Sequence, residues 1–283
     1  MLKIQDRILD EISTAFLTEK QALIDSSGDY PKMVLTAKSE WEKKTNTNKG
    51  KAALKSIRET LGKMCVGSQR CAYCEDSAAD EVEHIKPKNL FPEDTFRWSN
   101  YLFACGPCNG PKNDRYGTID ANQVIEFKRG RHDPVVRPPS NQSGFIDPRR
   151  EDPFEFLELD LGGTTPNGDV LQGTFEMLAR DDLTPAKKAR AEFTISVLNL
   201  NREVIRKARE TAFGGFRARM IEYVQKKEND EPEVTLEGLK LSILQTPHLS
   251  VFENMRRQRD CLPEVAGLIE RAPEILTWDV VPV

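Results

Sequence analysis

The sequence predicts an α+β protein, mostly α-helical, in which a small strand–loop–strand–helix module stapled by cysteines lies between N-terminal helices and a C-terminal helical region. Three observations predict this. Stretches at both ends repeat apolar residues every three or four positions, the period of a helix with one buried face. The run "DEVEHI" alternates acidic positions with apolar or ring-bearing ones, as a short strand does. Two C-x-x-C pairs, Cys71/Cys74 and Cys105/Cys108, bracket that run, and a two-residue gap lets both thiolates of a pair reach one ion.

In chain order, residues 1–64 form an N-terminal helical segment. Its helical stretches are "DRILDEISTAFLTEKQAL" and "KAALKSIRETLGKM", separated by the turn "SSGDYPK" and the polar loop "TNTNKG". Residues 65–118 are the cysteine block. Within it "DEVEHI" and "NYLFAC" read as a hairpin with a long loop, and "NGPKNDRYG" as the opening of a short helix. Residues 119–283 are a loop-rich connector followed by a helical domain. The connector, to about residue 153, is dense in proline and charge; "FEFLELDLGG" is a strand leading into the turn "PNGD". Thr184 and Pro185 supply the N-cap and first position of a helix. Beyond it, Ile205, Ala208, Ala212, Phe216, Met220 and Val224 form a core-facing stripe that Gly214 and Gly215 are placed to kink. Two further helical stretches, "VTLEGLKLSILQ" and "ENMRRQRDCLPEVAGLIERA", end the chain.

The 283 residues carry 41 basic and 45 acidic side chains, a net charge of −4. That excludes bulk electrostatic attraction to nucleic acid, so such a role needs a local basic face or a partner. No apolar run reaches the roughly twenty residues of a membrane span, and the N-terminus lacks the features of a secretory signal. The expected location is the cytoplasm, where thiols stay reduced and paired cysteines bind metal more often than they form disulfides. Four cysteine ligands close a tetrahedral zinc site and leave no position for water, so this zinc is expected to be structural. Cys65 and Cys261 lack partner spacing and read as packing residues.

The chemistry then falls between the cysteine pairs. Glu83-His84-Ile85-Lys86-Pro87, then Asn100, then Cys105-Gly106-Pro107-Cys108-Asn109-Gly110-Pro111-Lys112 resemble the pattern of the HNH nuclease superfamily, whose ββα-metal motif sits between C-x-x-C knuckles in many members. The match covers about fifty residues. A longer resemblance, through "KSIRETLGKM", "CAYCE", "FIDPRREDPFEFLELD" and "TISVLNLNREVIRKAR", is to HNH subunits encoded beside an ATPase in Septu-type anti-phage systems and to retron-linked relatives.

The resemblance implies an endonuclease that hydrolyses nucleic-acid phosphodiesters, DNA favoured, with an ATPase partner subunit. His84 is implied as general base, Glu83 and Asn109 as holders of one Mg²⁺ or Mn²⁺, and Asn100 as the residue that positions the catalytic loop. An amide oxygen at position 109 suits a hard ion better than the imidazole many relatives carry. Regular alternation sends Glu83 and His84 to opposite faces, so one shared site calls for a twist or bulge. Lys112 and Arg115, three residues apart, can both face a phosphate or simply be solvated. Glu81 reads as a surface carboxylate or an indirect helper. Lys128, Arg129, Arg131 and Arg137, and Arg202, Arg206 and Arg209, are basic clusters of either phosphate-contacting or solvated kind. His132 and His248 have no ligand spacing. The competing reading is a non-catalytic zinc module that binds nucleic acid or protein.

Overall fold

The computed structural model describes residues 1–127, 129–130 and 132–280. Lys128 and Arg131 of the basic cluster lie outside the described residues.

Three N-terminal helices each start at a side-chain cap that satisfies an otherwise orphaned amide. Asp10 accepts from Ser13 N ahead of α1 (Glu11–Asp25), Asp29 from Lys32 N ahead of α2 (Tyr30–Glu42), and Thr47 from Gly50 N ahead of α3 (Asn48–Gly62). The stretch read as a turn around "SSGDYPK" is thus the cap and first turn of α2, with Pro31 in that turn. The helix buries Met33, Val34 and Ala37.

The central module has the expected order. β1 (Glu81–His84) pairs antiparallel with β2 (Tyr101–Ala104), with Glu83 opposite Leu102 and His84 opposite Tyr101. α4 (Gly106–Lys112) follows at once, with Pro107 in its first turn, and stops at Asn113, whose φ is +37°. α3 packs against β2, and α4 against β1 and α5 (Pro185–Leu198).

The connector differs from its reading as loop. β3 (Tyr116–Asp120) and β4 (Gln123–Phe127) form a regular hairpin. Its two-residue turn holds Ala121 and Asn122 at φ +43° and +67°. Such turns normally advertise themselves with Asn-Gly or Asp-Gly, and an alanine in the left-handed region hides the signal. The predicted strand near residue 157 is two short pieces. β5 (Leu157–Leu159) pairs with β8 (Met177–Ala179), and β6 (Gly162–Thr164) with β7 (Val170–Gln172) across the "PNGD" turn. Gly162 is required there: φ is +68°, and a Cβ would sit 2.3 Å from the Leu171 carbonyl oxygen.

α5 is capped by Thr184 as its sequence predicts. α6 (Glu203–Glu228) runs 26 residues without a break, so the two glycines do not interrupt it. Added Cβ atoms at Gly214 and Gly215 would meet nothing within 4 Å; they lie on an open flank. α7 (Glu233–Leu244), α8 (Leu249–Arg257) and α9 (Pro263–Arg271) complete the chain. One buried apolar cluster runs from Met1 through the cysteine module to Trp278, so all three sequence segments share a core. Cys65 packs inside it, and burial pushes its thiol up to about 12. Cys261 is exposed, contrary to its reading as a packing residue, because it sits in a tight turn between α8 and α9. Among the described residues no helix is long and apolar enough to cross a membrane.

Candidate functional site

The fold gathers the two cysteine pairs at one place. The sulfurs of Cys71, Cys74, Cys105 and Cys108 all lie within 4.8 Å of one another, and all four residues are buried. Backbone bonds set this arrangement: Ala72 N donates to Phe103 O at 3.0 Å, and Asp80 N to Ala104 O at 3.1 Å, fastening the first pair to β2. Four close sulfurs match the donor set and tetrahedral preference of zinc. Four thiolates around a divalent ion leave two negative charges. Arg202, just ahead of α6, brings its two terminal nitrogens to 3.7 and 3.6 Å from Cys108 Sγ. On the other side, Glu75 accepts from Ser250 N at 2.9 Å and Asp76 lies 3.3 Å from His248 Nε2, which ties the first pair to α8.

Beside this cluster a cavity of about 270 Å³ opens between β1 and α4, lined by Glu81, Glu83, His84, Lys88, Asn109 and Asp114 among others. His84 is 5% exposed. Its Nε2 is 3.0 Å from the Thr95 carbonyl oxygen. A carbonyl only accepts, so Nε2 carries the proton and Nδ1 is left as the ring's acceptor. Trp41 of α2 stands edge-on to the imidazole at 4.4 Å, and Tyr101 does so at 5.1 Å while its hydroxyl donates to the same Thr95 carbonyl. Burial pushes the His84 pKa down to about 3, and the nearby charge of Lys88 adds to the fall. The ring is neutral at neutral pH.

Glu83 and His84 line the same cavity without a bulge, since the register of β1 is regular and His84 is the strand's last residue. Glu83 is buried and its Oε1 lies 2.5 Å from Lys112 Nζ. Burial raises the carboxyl's pKa and Lys112 opposes the rise. Lys112 also donates to His84 O at 2.8 Å. It is 1% exposed, so it braces β1 from inside and does not face a phosphate as expected. Arg115 lies beyond the end of α4 rather than on it, and grips Glu126 through bonds of 2.7 and 3.2 Å.

Asn109 donates from Nδ2 to Glu81 Oε2 at 2.6 Å, which leaves its Oδ1 as the open acceptor. Glu81, two residues from Glu83 and on the same strand face, therefore sets the orientation of that amide. Asn100 receives Lys86 N on Oδ1 at 2.8 Å and donates from Nδ2 to the carbonyls of Lys86 and Asp94 at 3.0 Å each. It clamps the two ends of the loop that carries Lys88.

The other basic groups are committed. Arg137 pairs with Glu93 at 2.6 Å and Arg206 with Glu176 at 3.3 Å. Arg209 is buried, bonded to Phe175 O, and burial pushes its pKa down to about 10. Arg202, Arg206 and Arg209 thus present no common phosphate-binding face. Three cavity residues escaped the sequence reading: Trp41, Lys88 and Asp114; Glu81 takes the indirect role that was one of its two readings. Lys88 stands in "HIKPK", one residue beyond the motif residues singled out, and has no ion pair among the described residues. Trp41 lies 43 positions from His84 in a helix that gave no sign of reaching the site, so no local pattern could have found it.

Fold and site together define an α+β protein with a four-cysteine, metal-suited cluster beside a polar cavity. No family model matches the chain. Over 81 residues it is 36% identical to the Septu protein PtuB of Bacillus thuringiensis, an alignment that takes in 27% of this chain and 28% of that protein.

Proposed function

We propose that this chain is a metal-dependent endonuclease of the HNH type, and that it serves a Septu-like anti-phage system together with a partner subunit, an ATPase by the resemblance. The observation that carries the nuclease reading is one cavity holding a neutral imidazole with a fixed tautomer, the carboxylates of Glu81 and Glu83, and an amide oxygen on Asn109. The defence reading rests on the stretch similar to the Septu protein.

His84 Nδ1 takes the proton from a water as that oxygen attacks phosphorus, and the bond to the 3′-oxygen breaks. The Thr95 carbonyl holds the ring while its charge rises. Glu83 and Asn109 Oδ1 are the groups suited to Mg²⁺ or Mn²⁺, which supplies Lewis-acid stabilisation of the phosphate and the leaving oxygen. Lys88 offers the ammonium for a non-bridging phosphate oxygen that Lys112 and Arg115 do not. The four cysteines and their zinc keep β1 and α4 in register.

One observation favours a second reading, a zinc module that binds without cutting: Glu83 is already paired with Lys112. Incubation of the protein with plasmid and Mg²⁺ or Mn²⁺, with and without the partner subunit, separates the two. The nuclease reading expects cleavage that the His84→Ala variant lacks. Absence of cleavage in every condition favours the binding module.

A further inference from the structure

A second cavity, of about 530 Å³, adjoins the first, and Gly110, Asn113 and Asp114 line both. Its other walls come from the β3–β4 hairpin and the loop after β1: Asn89, Arg115, Glu126, Phe127 and Arg129. The hairpin lies outside the strand–strand–helix module, so this space is an addition to it. Gly110 stands at the junction, and a Cβ there would meet nothing within 4 Å, so the space beside it is open.

We propose that this second cavity receives an unpaired nucleobase of the substrate strand, next to the phosphate held in the first. The inference rests on the nuclease site proposed above and adds what its neighbour recognises. Charge argues for a base over a second phosphate. Among the described residues the walls carry Arg115 and Arg129 against Glu126 and Asp114, two formal charges of each sign, and so give an anion no net attraction. A base is neutral, offers donors and acceptors on its edges, and has a face that stacks on an aromatic ring or a guanidinium. The polar groups are already held still. Arg115 is fixed by two bonds to Glu126, Asn89 Nδ2 donates to Asp114 Oδ2 at 2.7 Å, and Arg129 Nη2 donates to Asn89 O at 2.6 Å. Phe127 supplies the apolar wall. A duplex presents its bases stacked and paired, so entry requires a single strand or a base turned out of the helix.

The test uses the full chain with His84→Ala, so that nothing is cut, and two labelled oligomers of equal length: a mixed-sequence DNA single strand and the same sugar–phosphate chain without bases. Fluorescence anisotropy reads binding. The parent is expected to bind the base-bearing strand at least tenfold more tightly. Adding Phe127→Ala with Arg129→Ala is expected to remove most of that preference and to leave binding of the base-free chain within about twofold, a result that loss of the fold would not give. Equal binding of both oligomers by the parent, or a preference that survives the substitutions, overturns the proposal. Cleavage is not read here, so a failed nuclease assay and a failed base site remain separate results.

Discussion

At the scale of single residues, His84 carries the account, and its environment makes two predictions. Burial places its folded pKa near 3 against an ordinary value of 6.5, so between those values the unfolded chain binds a proton that the folded one does not. Stability from this group is complete above about pH 6.5 and is lost as pH falls toward 3. Thermal unfolding of the wild type is expected to drop more steeply from pH 7 to pH 5 than that of His84→Gln; parallel curves would contradict the assignment. The second prediction concerns Asn109. If Glu81 sets its amide, Glu81→Ala lowers cleavage about tenfold or more, as loss of a ligand's supporting hydrogen bond does, while Glu81→Gln, whose side-chain oxygen still accepts from Asn109 Nδ2, retains most of it. Equal loss in both variants would point to the Glu81 charge instead. The motif residues were readable because a short strand and two knuckles impose local spacing. At Lys112 spacing shows that a cation is present and not that its ammonium is occupied by the buried Glu83 carboxylate.

At the scale of elements, the four-cysteine cluster and α2 both bear on the cavity, α2 through Trp41. Removal of a zinc held by the four sulfurs would free buried thiolates to repel or protonate, and structural sites of this kind contribute folding energy outright. One zinc per chain is expected by elemental analysis. Chelation, or Cys108→Ser, is expected to abolish the cooperative thermal transition of the module; an unchanged melting temperature would show that the sulfurs pack without a metal. Trp41 of α2 covers the His84 ring, so Trp41→Ala is expected to cost about 2 kcal/mol of stability and to lower the cleavage rate, with Trp41→Phe recovering most of both. Chemical denaturation and single-turnover rates check this. β1, β2, α1, α3 and α5 were legible from period and caps. The β3–β4 hairpin was not, because its turn uses Ala121 where glycine or asparagine usually announces the bend. α6 runs unbroken past two glycines because helix hydrogen bonds continue through them.

At the scale of the whole molecule, the core is continuous from the first helix to the last, and α8 and the start of α6 both touch the cysteine loops. The flanks are therefore part of the scaffold of the site and not appendages to it. The net charge of −4 and the pairing of most basic side chains leave little general attraction for a polyanion. Efficient cleavage is accordingly expected to need the proposed partner subunit, seen as a rise in rate when the two are mixed. The most direct measurement of the central claim is chemical rescue in the cavity: Mn²⁺-dependent cleavage by wild type and His84→Ala, with and without added imidazole. The expected result is at least a hundredfold loss in the variant and partial recovery with imidazole. Cleavage by His84→Ala at the wild-type rate would contradict it.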